Sequence, residues 1–167
     1  MNMIKTRMLV MDVDGTLTDG KIYMGENGEA VKVFDIKDGY AIKELLPRFG
    51  IIPVIITGRK SKMTEIRCDE LGIKEVHQEC TKKKEKMLEI ARRLGLKITA
   101  DHKIAGSAYI GDDLLDISGM NISELAGCPS DAVVEVKRNS QYICKHAGGN
   151  GAVREFIEWI ITEQYMT

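Results

Sequence analysis

The chain has 167 residues, of which 44% are hydrophobic and 29% are charged, and its formal net charge is −1. This length suits a single globular domain, 1–167, that can bury a core without a metal ion or a disulfide to hold it together. A chain so close to neutral lacks the basic surface of a protein that binds nucleic acid or an anionic membrane, so neither partner is expected.

The cysteines and the N-terminal segment predict a cytoplasmic location. Cys68, Cys80, Cys128 and Cys144 include no Cys-x-x-Cys pair. A zinc site or a disulfide scaffold is therefore not expected, and free thiols suit a reducing compartment. The apolar run after Arg7 is too short for a signal sequence or a membrane span.

The first third of the chain predicts a strand, a hairpin and a helix. Residues 8–13 form an apolar run typical of a buried strand. Residues 21–36 alternate as in a hairpin, with the Asn-Gly turn signal inside 25–28. We expect Asp38 to cap a helix that ends at Gly50.

The rest of the chain alternates between apolar strands and segments of helical period. The predicted elements are a strand at 51–56, helices at about 61–71 and 82–94, a strand at about 107–110, a short helix after Pro129, an extended segment at 141–145, and a last helix after the turn at 148–151. This alternation predicts an α/β fold with a doubly wound parallel sheet. Ligands of such sheets bind beyond the carboxyl ends of the strands.

Three predicted strands end in polar clusters. These are Asp12-Val13-Asp14-Gly15-Thr16, Thr57-Gly58-Arg59, and Gly111-Asp112-Asp113 with Asp116. Residues two apart in an extended chain face the same side, so Asp12 and Asp14 can enter one pocket. A third carboxylate from Asp112 would crowd negative charge there, which a hard cation such as Mg²⁺ relieves. Alternatively, the first cluster is only a turn and the third only a helix cap.

These residue types suit phosphoryl transfer. Asp12 can attack phosphorus as a nucleophile, and Asp14 can act as general acid and base. The hydroxyl of Thr57 and an ammonium group can hold the transferred phosphoryl oxygens, while Asp112 helps to bind Mg²⁺. The ammonium would come from the lysine-rich start of the helix at 82–94, where periodicity alone does not distinguish Lys83 from Lys84.

The polar clusters resemble the four motifs of the haloacid-dehalogenase superfamily. More narrowly, the chain is similar almost end to end to the capless sugar-acid phosphatases that act on 3-deoxy-manno-octulosonate 8-phosphate or on nine-carbon acylneuraminate 9-phosphates. The segments that carry this likeness include Thr18-Asp19-Gly20, Lys37-Asp38-Gly39-Tyr40, Ile56-Thr57-Gly58-Arg59-Lys60-Ser61-Lys62 and Gly149-Asn150-Gly151-Ala152-Val153-Arg154-Glu155. The resemblance implies a Rossmann-like fold with a small hairpin flap and no cap domain.

The family pattern also implies a role for each site residue. It makes Asp12 the nucleophile, Asp14 the acid and base, Thr57 the phosphate-binding hydroxyl, and Lys83 the lysine, with its neighbours Lys82 and Lys84 as alternatives. The implied Mg²⁺ ligands are Asp12, the main-chain carbonyl of Asp14, and Asp112. Asp113 and Asp116 would support that loop.

The implied substrate is a 2-keto-3-deoxy sugar acid with a terminal phosphate, most simply 3-deoxy-D-manno-octulosonate 8-phosphate. Its contacts correspond to Asp14, Asp35, Ile36, Lys37, Asp38, Gly39, Lys43, Gly58, Arg59, Arg67 and Lys83. A basic set of this kind suits a ligand with both a carboxylate and a phosphate. Arg67 has an alternative role as a surface ion pair with Glu70.

The spacing of the motifs predicts an assembly. About 40 residues separate Thr16 from Thr57 and roughly 26 separate Thr57 from Lys83, and neither gap holds a cap domain of ordinary size. An open site needs another lid, and the resemblance implies a homotetramer in which the hairpin and the C-terminal tail (146–167) reach a neighbour. We expect 21–36 and 148–151 to lie near a partner's Asp12, although the glycines of the second segment also suit a plain turn.

Two departures from the family pattern and two other classes of protein keep alternatives open. Asn150 stands where the octulosonate enzymes typically have arginine, and Glu79 stands where the family usually has glycine. With a tail similar to that of acylneuraminate cytidylyltransferases, these changes leave a nine-carbon substrate possible. The other classes are a non-catalytic oligomerisation module and a receiver domain. The intact set of site residues argues against the first, and Asp14 with the Thr57 loop argues against the second.

Overall fold

A computed structural model describes residues 5–165. The strands are Met8–Met11 (β1), Tyr23–Gly25 (β2), Gly28–Val31 (β3), Ile52–Ile56 (β4), Glu75–His77 (β5), Ile104–Ile110 (β6), Ser123–Cys128 (β7) and Tyr142–Ile143 (β8). The α-helices are Ile36–Tyr40 (α1), Leu46–Arg48 (α2), Lys62–Leu71 (α3), Lys83–Arg93 (α4), Leu114–Met120 (α5), Val134–Arg138 (α6) and Ala152–Tyr165 (α7). In this range no helix combines the length and the apolarity needed to cross a bilayer. The predicted domain (1–167) and the predicted C-terminal tail (146–167) both extend beyond the described residues.

Six parallel strands form one sheet in the order β5-β4-β1-β6-β7-β8. β1 lies at the centre, paired with β4 on one side and β6 on the other. The chain moves outward from β1 to β4 and β5 and then crosses back to β6. The carboxyl end of β1 is therefore beside the switch point where ligands of such sheets bind, and the prediction of a doubly wound parallel sheet is confirmed.

Two apolar layers cover the sheet, because alternate side chains of each buried strand face opposite sides. Leu9 and Met11 of β1 belong to the layer formed with α3, α7 and the helical segment before β4. Met8 and Val10 belong to the layer formed with α4, α5 and α6. Because both faces of these strands are buried, their sequences are nearly continuous apolar runs.

The hairpin forms a separate two-stranded sheet. β2 and β3 are antiparallel and joined through Glu26 and Asn27, as the turn signal predicts. The strands are shorter than the predicted range of 21–36. Several of its apolar side chains are exposed, among them Met24 at 69% and Val31 at 50%.

Several predicted boundaries were wrong. Asp35, and not Asp38, caps α1, because its Oδ1 accepts hydrogen bonds from the backbone N–H groups of Lys37 and Asp38. β5 and β7 were missed, since Glu75–His77 has only three residues and Ser123–Cys128 has no β-branched residue. β1 ends at Met11 and β6 begins three residues earlier than predicted, at Ile104.

A π-helical turn, Ala41–Leu45, joins α1 to α2. Pro47 follows it and has no backbone N–H to donate to a carbonyl in the preceding turn. The backbone N–H of Leu46 instead bonds to the carbonyl of Ala41, five residues earlier. The segment predicted as one helix is therefore continuous but widened in its middle.

Candidate active site

The three polar clusters meet at the carboxyl ends of β1, β4 and β6. They surround an open depression of about 190 Å³. Its lining residues are Asp12, Asp14, Thr57, Gly58, Arg59, Lys83, Asp113, Leu115 and Asp116. The topology thus brings together the four residues that the sequence predicts to be catalytic.

Lys83 enters this site from the first turn of α4. It is buried, whereas Lys82 and Lys84 are exposed. Its Nζ lies 2.8 Å from Oδ1 of Asp12 and 2.7 Å from Oδ1 of Asp116. Burial opposes the charge of Lys83, but these two carboxylates outweigh that effect and raise its pKa. Of the three candidate lysines, this one has the geometry of a site residue.

Asp116 anchors the loop that follows β6. Its Oδ1 accepts hydrogen bonds from Lys83 and from the hydroxyl of Tyr109, at 2.7 Å each. Its Oδ2 accepts from the backbone N–H groups of Asp112 and Asp113, at 3.0 and 3.1 Å. With both oxygens so engaged, the carboxylate positions its neighbours. Asp113 caps α5, as the alternative interpretation of this cluster had it.

Asp112 lies beside Asp12, with carboxylate oxygens of the two residues within 4.8 Å of each other. Its Oδ1 accepts a 2.7 Å hydrogen bond from the hydroxyl of Thr16. Gly15 has a φ of 94°, and a Cβ there would collide with the Asp112 carboxylate. The glycine of the first motif is therefore required both by the backbone conformation and by the close approach of the third carboxylate.

The crowded carboxylates have the chemistry of a cation site. One oxygen from each of Asp12, Asp112 and Asp116 lies within 4.8 Å of the others. Burial, and next the charge of Asp116, raises the pKa of Asp12 to about 6. Burial also raises the pKa of Asp112 to about 8, and Asp12 and Asp116 add to this shift. A bound divalent cation would relieve both effects. Because Asp116 is saturated with donors, the free ligands are Asp12 and Asp112, which fit Mg²⁺.

Asp14 makes contacts that the sequence did not predict. Lys32, from the segment after β3, forms an ion pair with Oδ1 of Asp14. The same ammonium lies 3.1 Å from Oε1 of Glu29. Arg59 lies 3.8 Å from Asp14 and 3.3 Å from Glu29. The alternation of residues along a strand does not predict an ion pair between Lys32 and Asp14. From the sequence alone, Lys32 is indistinguishable from any exposed lysine of a hairpin.

Two other site residues were missed as well. Tyr109 lies within an apolar strand, where its hydroxyl is the one polar group of a fully buried side chain. Thr16 is part of the first motif, but the sequence carries no sign of its hydrogen bond to Asp112. A buried hydroxyl normally needs a partner, and that rule is the signal that could have found Tyr109.

The predicted sugar-acid contacts are divided between two places. Arg59 and Gly58 line the depression at Asp12. Lys43 and Arg67 line a separate groove of about 190 Å³ with Ile36 and Gly39.

Within that groove, Arg67 pairs with Glu70 at 2.8 Å, which agrees with the alternative interpretation of this residue, and Lys43 donates to the carbonyl of Glu70. Lys37, within α1, is exposed. Within the described residues, Lys37, Lys43 and Arg67 are therefore not brought to Asp12.

Asp38 is buried and is not part of the lining of the depression. Its Oδ1 accepts a 2.8 Å hydrogen bond from the backbone N–H of Arg154, in the first turn of α7. Burial raises the pKa of Asp38 to about 6. The side chain therefore caps a helix that lies far along the chain, and not its own helix.

The glycine turn of the tail contacts the first motif of its own chain. The backbone N–H of Gly149 donates to the carbonyl of Thr16 at 3.0 Å. A Cβ at Gly148 would collide with the backbone carbonyl of Gly15. This turn thus supports the loop that carries Asp12 and Asp14.

The fold and site define a class of protein. A parallel sheet whose central strand presents Asp12 and Asp14, with a neighbouring-strand hydroxyl, a buried lysine and a third carboxylate, is the arrangement of the haloacid-dehalogenase superfamily of phosphatases. No family model matches the chain.

Comparison with individual proteins is more specific. The chain is 39% identical to the 3-deoxy-D-manno-octulosonate 8-phosphate phosphatase KdsC of Escherichia coli (strain K12) over 158 residues, which is 95% of this chain and 80% of the relative. The phosphatase of Moraxella catarrhalis, solved with magnesium, phosphate and KDO, is 35% identical with a TM-score of 0.87, covering 95% of this chain and 87% of that one. The cobalt-bound phosphatase of Haemophilus influenzae is 30% identical with a TM-score of 0.87, covering 98% and 92%. The chain belongs to the family of 3-deoxy-D-manno-octulosonate 8-phosphate phosphatases.

Proposed function

We propose that this protein is a Mg²⁺-dependent phosphatase that releases the terminal phosphate of 3-deoxy-D-manno-octulosonate 8-phosphate. The observation that carries the proposal is the meeting of Asp12, Asp14, Thr57 and Lys83 in one depression next to Asp112. The Moraxella catarrhalis relative, solved with magnesium, phosphate and the sugar acid, supports this substrate and this cofactor. The nine-carbon acids have no comparable support. The product suits a role in lipopolysaccharide biosynthesis.

The first step transfers the phosphoryl group to Asp12. A carboxylate oxygen of Asp12 attacks phosphorus, the bond from phosphorus to the sugar oxygen breaks, and that oxygen takes a proton from Asp14. The products are the free sugar acid and an aspartyl-phosphate on Asp12. Lys83 and the hydroxyl of Thr57 stabilise the phosphoryl oxygens as charge shifts among them.

The second step hydrolyses the aspartyl-phosphate. Asp14, now a carboxylate, takes a proton from a water molecule that attacks phosphorus, so phosphate leaves and Asp12 is regenerated. Mg²⁺ would be held by Asp12, Asp112 and the main-chain carbonyl of Asp14, and when bound it neutralises the negative charge of phosphate and carboxylates. Asp113 and Asp116 support that loop.

Recognition of the sugar acid would need a second copy of the chain. Arg59 is in the depression, but Lys43 and Arg67 line a different groove with the α1 segment 35–39. We therefore assign this groove to a substrate bound at a partner's Asp12 in a homotetramer. Exposed apolar side chains on the hairpin support such an assembly, because patches of this kind commonly mark interfaces. The four cysteines are free, in keeping with a cytoplasmic enzyme.

Phosphate release from a panel of substrates tests the activity. The panel holds octulosonate 8-phosphate, N-acetylneuraminate 9-phosphate, its deaminated analogue and simple hexose phosphates, each with Mg²⁺ and with EDTA. We expect Mg²⁺-dependent release from the octulosonate ester. A preference for a nine-carbon ester would change the assigned substrate. If a folded assembly released no phosphate from any compound, the result would favour an oligomerisation module.

Asp12→Asn tests the chemistry. We expect phosphate release to fall by at least about a thousandfold, because an amide does not form the aspartyl-phosphate. Sedimentation of the variant should match that of the wild type, since the side chain is inside the site. Activity that survives in the variant would remove Asp12 from the role of nucleophile.

A further inference from the structure

Four charged side chains form a closed ring at the mouth of the site. Lys32 contacts Asp14 and Glu29, and Arg59 contacts the same two carboxylates. The ring joins the loop after β1, the hairpin and the loop after β4. Cations and anions alternate around it, so each charge has two partners of opposite sign.

Lys32 is the most buried member of the ring. Its side chain is 2% exposed, compared with 11% for Glu29, 22% for Asp14 and 42% for Arg59. Burying an ammonium group is costly unless carboxylates compensate it. A lysine whose function was solubility would extend from the hairpin into water, as Lys21 does. The hairpin instead directs this side chain to Asp14.

The two contacts of Lys32 have different consequences. Glu29 holds the ammonium from the hairpin side, and the ammonium in turn restrains the carboxylate of Asp14. An aspartate with a fixed orientation can meet the leaving oxygen of a substrate, whereas a freely rotating one meets it only part of the time. Arg59 is half exposed and more distant, so it contributes less to this restraint.

We propose that Lys32 is a positioning residue: it pairs with Oδ1 of Asp14 and so orients the carboxyl group, whose other oxygen carries the proton that passes to the leaving oxygen. This inference rests on the proposed function, in which Asp14 is the acid and base. Lys32 need not touch the substrate, and Glu29 is its anchor. The hairpin of each chain thereby contributes to the chemistry of its own site, in addition to any contact with a partner.

The proposal predicts an effect that depends on the leaving group. A sugar alkoxide needs a proton to depart, but p-nitrophenolate departs as an anion and acetate from acetyl phosphate does so too. kcat/KM reports the steps up to departure of the leaving group and excludes the hydrolysis of the aspartyl-phosphate. A residue that acts through the proton of Asp14 therefore matters for the sugar ester and much less for the activated esters.

Lys32→Met tests this, since methionine keeps an unbranched chain without the charge. We expect kcat/KM for octulosonate 8-phosphate to fall at least tenfold, and kcat/KM for p-nitrophenyl phosphate and acetyl phosphate to fall less than threefold. Lys97→Met makes the same chemical change on an exposed lysine outside the hairpin and the site, and it should leave both values as in the wild type. Glu29→Gln should also lower kcat/KM for the sugar ester more than for the activated esters, but by a smaller factor. It replaces Lys32→Met as the test variant if Lys32→Met does not fold.

The outcomes separate the inference from the function on which it rests. An equal fall with both kinds of ester would make Lys32 a phosphate ligand or a hairpin anchor and overturn the proposal, as would no fall at all. A wild type that hydrolyses only the activated esters contradicts the assigned substrate and, with it, this inference. A wild type active on the sugar ester and a Lys32→Met variant equal to it would leave the function intact and remove only the role of Lys32.

Discussion

Single hydrogen bonds set the geometry of Asp12 and Lys83, which we propose to be reacting groups. Tyr109 donates to Asp116, Asp116 accepts from Lys83, and Lys83 contacts Asp12. Each member is buried, so water does not replace a lost partner. A hydrogen bond to a charged group is worth about 1.5–3 kcal/mol in such a setting. Residues that never touch a substrate can therefore influence the rate.

Tyr109→Phe removes the outermost bond of this chain of contacts. We expect kcat to fall by about tenfold, which corresponds to ~1.4 kcal/mol, because Asp116 then holds Lys83 less firmly against Asp12. KM should change little. Steady-state kinetics on the sugar ester measures both values.

Tyr142→Phe is the matched control. It removes a hydroxyl that donates to Glu155 at 2.9 Å, away from the depression. Its kcat should equal that of the wild type even though its stability falls. A Tyr109→Phe enzyme with unchanged kcat would show that Asp116 is held well enough by its other donors.

One residue carries backbone strain where the family pattern has glycine. Glu79 has a φ of 54°, in the left-handed region that costs a side chain roughly 1–2 kcal/mol. Its carboxylate lies 3.4 Å from the ammonium of Lys60, and both side chains are exposed. An exposed ion pair of this kind stabilises the fold only slightly. The structure therefore gives no reason for glutamate at this position.

At the scale of elements, one helix begins at a group from elsewhere in the chain. α7 has Asp38 at its first turn, a residue 116 positions away from its partner Arg154. The negative carboxylate also faces the positive end of the helix dipole. Burial nevertheless makes ionisation of Asp38 unfavourable and raises its pKa to about 6. The same residue therefore stabilises the helix end and makes stability depend on pH.

This dependence has a definite sign. The pKa of Asp38 is raised from 3.8 in the unfolded chain to about 6 in the folded protein. Between these values the folded state binds more protons than the unfolded state, so the free energy of unfolding falls as pH rises. The contribution of Asp38 across this window is about 3 kcal/mol at most.

Asp38→Asn should remove that contribution while keeping an oxygen for the N–H of Arg154. Urea unfolding at several pH values from about 4 to 6 measures it. We expect the wild type to lose stability relative to the variant as pH rises through this window. The quantity to compare is the difference in stability between the two proteins. The pKa of Asp12 is also raised, and its effect on the pH dependence is common to both. Asp69→Asn, at an exposed position, is the control, and parallel profiles for wild type and Asp38→Asn would contradict the prediction.

At the scale of the whole molecule, the hairpin presents the largest set of exposed apolar side chains in one segment of the described residues. Met24 and Val31 extend from it, and Ile36 follows at 81% exposure. An isolated two-stranded sheet is only marginally stable in water. Burial of these side chains against other copies would stabilise the hairpin and bring a second groove, with Lys43 and Arg67, to each site.

Met24→Lys tests the assembly. We expect sedimentation to show a tetramer for the wild type and smaller species for the variant, because a charge at the centre of an apolar interface is costly. Activity on the sugar ester should fall with the assembly. Ile98→Lys, which alters an exposed apolar residue in the turn before β6, should stay tetrameric. A fully active wild-type monomer would rule out the lid formed by a neighbour.

The sequence by itself determined the doubly wound parallel character of the sheet and the convergence of Asp12, Asp14, Thr57 and Asp112. These follow from patterns within short stretches of chain, namely buried strands and polar residues directly after them. It did not determine which lysine enters the site, which aspartate caps α1, or that Lys32 meets Asp14. Lys83 lies 33 residues from Asp116, and Asp38 lies 116 residues from Arg154. Periodicity reports only which face of its own element a residue occupies. The packing of elements far apart in the chain decides which charges meet and which of them are shielded from water.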